Sequence, residues 1–423
     1  MSAPRTTPWP LVALFTAGYL APYLLPTTVG RLEAGLPLSP TQAGAIGSAL
    51  LLSSAAAGFL LASKADRIGA RTSARAGLAL AVLGYGGAAL TGVVPLVVVG
   101  ALLGGFGSGT VTAVAATGIA ALGAPPARAE SRAWGSDPHR ASTLGLLCVS
   151  ALAGAVCLTV PHLGAGHSQP LAAMALTALA VWPLTGRLTA RTAPLRTPAE
   201  RTAARLPHRR LGLVLATAMP FWSLAQNSLW GVSGRIGLTQ AHLGEATVGA
   251  VFAAALGAGL LGVVGAGALG PRLGRAVPIG AGTALIAACI AVSAAATDLT
   301  GFALGEIAWN LVYPIVLSYV IGLAASLDPR GRWAVLVGSA ASLGTAAGPL
   351  TGSMLSARAG FPVMGLVLAA GLLAIAFPLT AVALRAGRRT QPVVAIPVEA
   401  PAVPARHAYG TAYENSYAST SAR

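Results

Sequence analysis

Residues 299–323 form an unbroken apolar stretch, LTGFALGEIAWNLVYPIVLSYVIGL. A helix needs about 20 such residues to cross the hydrocarbon core of a lipid bilayer. This stretch is long enough, and eleven other stretches of similar character occur along the chain. We therefore expect an all-α membrane protein.

Glu306 is the only acidic residue that lies well inside any of these stretches. A helix places it on the same face as Trp309, Asn310 and Tyr313, because these residues follow it by three, four and seven positions. A carboxylate at membrane depth costs roughly 2.5–3.5 kcal/mol on insertion scales, and it persists where it faces protein or water. We predict that Glu306, near the middle of its span, carries protons or contacts the substrate. The alternative is a structural carboxylate that is hydrogen-bonded to a neighbouring helix.

The composition supports a membrane protein and excludes several other classes. Of the 423 residues, 55% are hydrophobic and 9% are charged, whereas a soluble protein carries roughly 25% charged residues. The net charge of +16 does not indicate nucleic acid binding, because the arginines lie between apolar stretches rather than on one basic face. Cys148, Cys157 and Cys289 fall in apolar segments and lack metal-ligand spacing. We expect a monomer without a metal, a cofactor or a nucleic acid partner.

Twelve apolar segments predict twelve transmembrane helices, six on each side of a charged, proline-containing segment. The twelve segments are residues 11–29, 43–62, 76–94, 96–122, 142–160, 171–188, 211–232, 248–269, 277–297, 299–323, 333–355 and 363–384. The N-terminus enters the first segment without a small-residue cleavage site. We therefore interpret that segment as a retained helix rather than a signal peptide.

The distribution of basic residues predicts the orientation in the membrane. With the N-terminus in the cytoplasm, only Arg31, Arg235 and Arg358 of the 27 lysine and arginine residues fall in external loops. This bias follows the positive-inside rule, so we expect a cytoplasmic membrane protein with both termini inside. The predicted parts are a six-helix unit at residues 1–186, a cytoplasmic linker at residues 187–210, a second six-helix unit at residues 211–385 and a disordered tail at residues 386–423.

Cysteine labelling tests this topology. We expect a membrane-impermeant thiol reagent to label His167→Cys or His242→Cys from outside intact cells, because both positions lie in predicted external loops. Thr197→Cys, in the predicted cytoplasmic linker, should stay unlabelled until the membrane is permeabilised. Labelling of Thr197→Cys in intact cells would contradict the predicted orientation.

The two halves of the chain carry an internal repeat. The segment ADRIGAR at residues 65–71 corresponds to GPRLGRA at residues 270–276, and GRLE at residues 30–33 is echoed by GRIG at residues 234–237. Residue pairs that share an offset of 205 are Arg67 and Arg272, Gly69 and Gly274, and Gly44 and Gly249. A duplicated six-helix unit that encloses a site near the bilayer midplane is an architecture of secondary transporters.

The loop between the second and third predicted helices resembles the signature of the major facilitator superfamily, which has the form G-x-x-x-D-R-x-G-R-R. The matching residues are Asp66, Arg67, Gly69 and Arg71 in the first copy and Arg272, Gly274 and Arg275 in the second. Ala62 and Ala70 replace a glycine and a basic residue of the pattern. The resemblance covers roughly residues 11–384 and implies twelve helices in two pseudo-symmetric six-helix bundles that rock around a central cavity. It also implies that these loops latch the bundles in one state, although charges that only set the topology are the alternative.

Two departures from the family concern proton coupling. Ala101 stands where many members carry an arginine in the fourth helix, and Glu306 lies 205 residues beyond it, at the symmetry-related place in the tenth helix. The antiporter pattern G-x-x-x-G-P-x-x-G is missing from the fifth helix and occurs in the eleventh instead, over residues 344–352. Close helix packing is the alternative role of these glycines.

Helices 1, 4, 7 and 10 line the cavity in the family, and the corresponding spans of this chain hold polar and aromatic residues at helical spacing. The candidates are Tyr19, Tyr23 and Thr27 in the first span, Ser108, Thr110 and Thr112 in the fourth, Trp222, Gln226, Asn227 and Trp230 in the seventh, and Glu306, Trp309, Asn310 and Tyr313 in the tenth. We expect an aromatic, hydrogen-bonding and acidic cavity. Because no arginine or lysine lies deep in any span, a neutral or cationic, partly apolar solute fits better than a phosphate.

The function predicted from the sequence is proton-coupled export of a small organic molecule, such as a drug or natural product. Uptake of a neutral or sugar-like solute is the alternative within transport. A polytopic membrane enzyme would need clustered His, Asp or Cys at the membrane face, and the six histidines are scattered through loops and the tail. We therefore expect a transporter whose partners are a small solute, protons and the lipid bilayer, and not an enzyme.

Overall fold

The regular structure of the chain is helical throughout the part that the computed structural model describes, which comprises residues 9–62, 69–122, 138–164, 166–188, 206–270, 272–328 and 331–386. The helices are α1 (Trp9–Tyr23), α2 (Leu25–Gly35), α3 (Pro40–Ala62), α4 (Ala70–Ala89), α5 (Val94–Leu122), α6 (Pro138–Thr159), α7 (Ser168–Val181), α8 (Arg209–Arg235), α9 (Glu245–Leu269), α10 (Ala276–Ala294), α11 (Leu299–Leu327) and α12 (Arg332–Ala386). Short 3₁₀ segments follow α6 and α7, at Val160–His162 and Trp182–Arg187, and a π-helical turn, Ile236–Gln240, follows α8. Most of the predicted linker and tail lies outside the described residues.

Seven of these helices are long and apolar enough to cross a membrane, or eight when the bent pair α1 and α2 is taken as one span. The protein is therefore an integral membrane protein. Each of the twelve predicted segments lies largely in a helix, and α12 contains two of the segments. Helices α4, α7 and α8 are not among the seven, because α7 has only 14 residues and because α4 and α8, although long enough, are less apolar. The number of twelve spans remains a prediction.

Two prolines four residues apart break the first predicted span. The carbonyl of Pro22 would accept a helical hydrogen bond from residue 26, but that residue is Pro26, which has no N–H group. The helix ends at Tyr23 and restarts at Leu25, with a bend of 52° between α1 and α2. The bend leaves the Pro22 carbonyl without a partner in its own helix.

The helix α12 is two helices joined at a kink. Gly360 interrupts it with a φ of 79° and a ψ of 166°, a conformation that glycine adopts without the steric cost of a Cβ atom. The kink falls between the eleventh and twelfth predicted spans. The two segments of α12 therefore accommodate both of them.

The eleventh-span glycine pattern packs α12 closely against α8. A Cβ atom at Gly344 or Gly352 would overlap the backbone carbonyl of Pro220 or Ser228 in α8. Both contacts lie within the second half of the chain, which we define as residues 206–386. Close packing, the alternative given for these glycines, is therefore what the structure places here.

The first half of the chain, residues 9–188, contacts the second half near one end of the helices. The Leu350 amide of α12 donates to Ser48 Oγ of α3 over 2.9 Å. The repeat-related Gly44 and Gly249 lie near the beginnings of α3 and α9, and each meets the opposite half, at Ser353 and at the Cys157 carbonyl. The arginine distribution predicts that this end is external, and we call it the predicted external end.

Candidate functional site

A cavity lies between the two halves, between α1 and α6 of the first half and α8, α9 and α11 of the second. The space between its walls measures about 690 Å³, part of which is open to the solvent. The residues that line it are Pro22, Tyr23, Leu146, Ser150, Asn227, Trp230, Leu256, Gly259, Leu260, Val263, Trp309, Asn310, Tyr313 and Pro314. None of these residues is charged.

Six of the predicted lining residues reach the cavity, and they come from the first, seventh and tenth predicted spans. They are Tyr23, Asn227, Trp230, Trp309, Asn310 and Tyr313. The fourth span contributes no lining residue. Its Ser108 lies 3.1 Å from the hydroxyl of Tyr85 in α4, and Thr110 donates to the Phe106 carbonyl of its own helix.

The other predicted residues of the first and seventh spans lie behind or beside the cavity wall. Tyr19 stacks on Phe15, with 4.4 Å between ring centroids, and Thr27 Oγ1 lies 3.5 Å from Cys157 Sγ. Gln226 is fully buried, and its Oε1 accepts a hydrogen bond from Trp309 Nε1 over 3.2 Å. Gln226 therefore orients a cavity residue without lining the cavity.

The sequence did not indicate α6 and α9 as cavity walls. Ser150 of α6 was the one hydroxyl residue in the apolar interior of its span, between Thr143 and Thr159, and Gly259 of α9 was one glycine among many. No helical stripe distinguished either residue from packing positions. Ser150 could have been found only by asking what an isolated hydroxyl at membrane depth would contact.

An aromatic wall forms the second-half side of the cavity. The ring centroids of Trp230 and Trp309 are 5.5 Å apart, and those of Trp309 and Tyr313 are 5.9 Å apart. Tyr313 in turn stacks on the fully buried Trp222, with 5.4 Å between centroids and 16° between planes. Trp222 thus supports the wall from behind, and its Nε1 lies 3.4 Å from Thr283 Oγ1.

Glu306 is fully buried and lies behind this wall, not in the cavity. It stands seven residues after the start of α11, roughly 10 Å along the helix axis, in the half of the helix that is nearer the predicted external end. Ser233 Oγ of α8 and Ser293 Oγ of α10 each lie 2.7 Å from its Oε1. Its Oε2 has no hydrogen-bond partner among the described residues.

The position of Glu306 corrects the expectation of an acidic cavity. Helical spacing puts Glu306 on the same face as Trp309, Asn310 and Tyr313, but it lies nearer the helix start, where α8 and α10 cover that face. Asn310 links Glu306 to the cavity. Its Nδ2 donates to the Glu306 backbone carbonyl over 3.0 Å, and its side chain lines the cavity.

Two ion pairs join the halves at the predicted external end. Arg31 Nη2 of α2 lies 2.6 Å from Glu245 Oε2 of α9, and Arg235 Nε of α8 lies 3.1 Å from Glu33 Oε2 of α2. The arginines occupy equivalent places in the GRLE and GRIG segments, so the repeat makes each half present an arginine to a glutamate of the other.

The arginines of the cross-half ion pairs are held by further contacts. Arg31 is 6% exposed, and it also donates to the backbone carbonyls of Gly164 and Val160. Arg235 stands over the ring of Phe361, 5.2 Å from its centroid. The positions of both guanidinium groups are therefore fixed by more than one neighbour.

The broken first helix makes a third cross-half contact. Trp230 Nε1 of α8 donates to the orphaned Pro22 carbonyl over 3.1 Å. Because Trp230 and Pro22 both line the cavity, this bond closes its wall at the junction of the halves.

Comparisons with known proteins identify the fold. The sequence matches no protein family profile and no curated protein. Among solved structures, the human organic anion transporter MFSD10 (TETRAN) matches with a TM-score of 0.64 and 16% identity, covering 89% of this chain and 100% of its own. The POT family transporter PepTSo matches with a TM-score of 0.69 and 13% identity over 92% of this chain and 100% of its own. The chain has the fold of the major facilitator superfamily.

The nucleoside transporter NupG has the same fold, with a TM-score of 0.63 and 15% identity over 89% of this chain and 99% of its own. The resemblance drawn from the loop signature is therefore confirmed for the major facilitator fold. The near-complete coverage also means that no large part of these transporters lacks a counterpart in the chain.

The signature loops of this fold are described only in part. Asp66 and Arg67 lie outside the described residues. Gly69 and Gly274 have φ angles of 79° and 63°, in the left-handed region that suits glycine. Arg71 and Arg272 are exposed, whereas Arg275 Nη1 donates to Ser326 Oγ over 2.6 Å. Half-burial of the Arg275 guanidinium lowers its pKa from the ordinary value. The latch role of these loops stays a prediction.

Proposed function

We propose that the protein is a secondary active transporter of a small organic solute that works by alternating access. Two six-helix bundles, at residues 1–186 and 211–385, would rock around the cavity as a monomer in the cytoplasmic membrane, with both termini inside. The observation that carries this proposal is the position of the cavity between the two halves, with ion pairs joining the halves near one end. A cavity between two halves that are joined by breakable contacts near one end is what alternating access requires.

The solved structures of the same fold support a transport function. Their names describe transporters of organic anions and nucleosides and a member of the POT family. Such solutes are small organic molecules, and sites for such molecules are lined mostly by apolar and aromatic side chains, as this cavity is.

Glu306 is the proposed proton-coupling residue, and the serine contacts of its Oε1 can be kept in both protonation states. Ser233 Oγ lies 2.7 Å from Glu306 Oε1 and 3.0 Å from the Leu229 carbonyl. A hydroxyl has one proton to donate. When Glu306 is ionised, Ser233 donates to it; when Glu306 is protonated, it can donate to Ser233, which then donates to Leu229. Because burial disfavours an unpaired charge, the proton would stabilise the closed cluster.

Helix α8 is the proposed connection between this proton and the rest of the mechanism. Within ten residues it carries Gln226, which orients Trp309, then Trp230, which lines the cavity and bonds to Pro22, then Ser233 and Arg235. A proton on Glu306 changes what Ser233 donates to. A small rotation of α8 would transmit that change to the cavity and to the Arg235 ion pair. This route replaces direct competition between proton and solute, because Glu306 does not line the cavity.

Export coupled to proton entry is the proposed direction, and uptake of a neutral solute is the second candidate, favoured by the uncharged cavity lining. A flux assay tests the function and separates the two. The purified protein is reconstituted in proteoliposomes with an entrapped pH-sensitive dye and an imposed proton gradient, and a panel of organic solutes is added. We expect at least one solute to dissipate the gradient in proteoliposomes and not in protein-free vesicles.

The sign of the dye response gives the direction. Exchange moves protons in the direction opposite to the solute, whereas symport moves protons and solute in the same direction. A protein that moves no solute of the panel, with or without a gradient, would contradict a transport function for this cavity.

A further inference from the structure

The cavity lining carries no group that could neutralise a negative charge. Its described residues are apolar, aromatic, amide or hydroxyl side chains. Arg31 and Arg235, which follow the lining residues of α1 and α8 in the chain, are held in ion pairs at the predicted external end. A carboxylate or sulfonate moved from water into this cavity would lose its hydration without gaining a cation.

One wall of the cavity offers extended aromatic surface. Trp230, Trp309 and Tyr313 follow one another at centroid distances below 6 Å, and Trp222 stacks behind Tyr313. Gln226 fixes the indole of Trp309 by its hydrogen bond. A wall of rings that are held in place by other rings favours a flat, ring-bearing molecule, which can stack without first ordering the protein.

The two amides of the cavity present hydrogen-bond acceptors. Asn227 Nδ2 is used by the Ser223 carbonyl and Thr345 Oγ1, and Asn310 Nδ2 is used by the Glu306 carbonyl. Both protons of the Asn227 amide and one proton of the Asn310 amide are thus engaged, which leaves mainly the Oδ1 atoms to meet a solute. Both side chains line the cavity. A matching solute therefore carries donors, such as amine, amide or hydroxyl groups.

We propose that the cavity selects planar, ring-bearing solutes that carry hydrogen-bond donors and no anionic group, whether neutral or singly cationic. The proposal rests on the proposed function, since it names the solute class of the same cavity. The rings would stack on the aromatic wall while the donors bond to Asn227 and Asn310. The same chemistry excludes organic anions, even though one transporter of this fold is named for them.

Two fluorescent probes that share a planar tricyclic ring system but differ in the sign of their charge test the proposal. Proflavine is a flat tricyclic monocation with two aryl amines, and fluorescein is a tricyclic anion. Binding to the full-length protein in lipid nanodiscs is measured by fluorescence anisotropy, with empty nanodiscs as the blank. We expect saturable binding of proflavine and none of fluorescein. Equal binding of both probes, binding of fluorescein alone, or binding of neither would overturn the proposal.

Variants of the cavity residues locate the binding. Tyr313→Leu should weaken proflavine binding about tenfold because it removes one ring of the wall, whereas Tyr313→Phe should retain most of it. The matched control is Phe221→Leu, which removes a ring of α8 that is 61% exposed and faces away from the cavity. An equal effect of Tyr313→Leu and Phe221→Leu would show that binding occurs elsewhere.

A second pair of variants tests the acceptors. Asn310→Leu removes the amide oxygen and should weaken proflavine binding, again by about tenfold. Asn310→Asp keeps an acceptor and adds a negative charge, so it should bind proflavine at least as tightly as the parent protein. Weaker binding by Asn310→Asp than by Asn310→Leu would contradict the donor-to-acceptor arrangement. Proflavine binding without any solute-driven proton flux would contradict the proposed function alone, and transport of an anionic ring would contradict the solute class alone.

Discussion

Replacement of Glu306 by glutamine is expected to abolish gradient-driven transport. Glutamine has nearly the same shape, and either of its amide atoms at the position of Oε1 keeps both serines as partners: an oxygen accepts from them, and an Nε2 donates to them while Ser233 donates to the Leu229 carbonyl. The variant therefore resembles the protonated state and should fold, but it cannot release a proton. We expect proton flux in proteoliposomes to fall to the level of protein-free vesicles.

Two measurements separate coupling from a structural role of Glu306. Exchange of labelled for unlabelled solute without a gradient should persist in Glu306→Gln, because it needs no change of protonation. Glu306→Asp should keep partial coupling, since the shorter carboxylate still titrates but lies farther from Ser233 and Ser293. Near-normal proton-driven transport by a well-folded Glu306→Gln protein would establish that Glu306 is only structural.

Removal of both cross-half glutamates is expected to open the predicted external end. Glu33→Gln and Glu245→Gln each break one ion pair while leaving the other contacts of Arg235 and Arg31 in place. A partly exposed ion pair is worth roughly 1 kcal/mol. If the two act independently, the double variant shifts the equilibrium towards the open state roughly 30-fold.

Spin-label distances measure this shift. Labels at Leu163→Cys and His242→Cys report on the two halves at that end, in a protein whose three native cysteines are replaced by serine. The distance should lengthen stepwise from the parent protein to the single variants and then to the double variant. Arg358→Gln, which removes an exposed charge near the same end, is the control and should leave the distance unchanged. An unaltered distance in the double variant would rule out the ion pairs as closure contacts.

The helical, membrane-embedded character of the chain follows from its sequence alone. Long apolar stretches with few charged residues determine this character segment by segment, because a backbone in lipid must pair its own polar groups within each helix. The burial of Glu306 was predictable for the same reason, since a carboxylate at that depth is driven away from lipid. The repeat was also readable, including the equivalent arginines Arg31 and Arg235.

The cavity could be predicted only in part. Helical spacing identified Trp309, Asn310 and Tyr313 as one face, and the structure brings all three to the cavity. Helical spacing does not show which part of that face, along the length of the helix, is covered by neighbouring helices. It therefore could not separate Glu306, which α8 and α10 enclose, from the residues one and two turns farther on.

Tertiary structure alone decided the cross-half contacts. Arg31 and Glu245 are 214 residues apart, and no local pattern links them. The pairing of Trp230 with Pro22 depends on the loss of one helical bond at Pro26, which the sequence contains, and on the docking of α8 beside the bend, which it does not specify. Helix periodicity fixes which side chains share a face, whereas the rotation, depth and partner of each face are set by packing between helices that are distant in the chain.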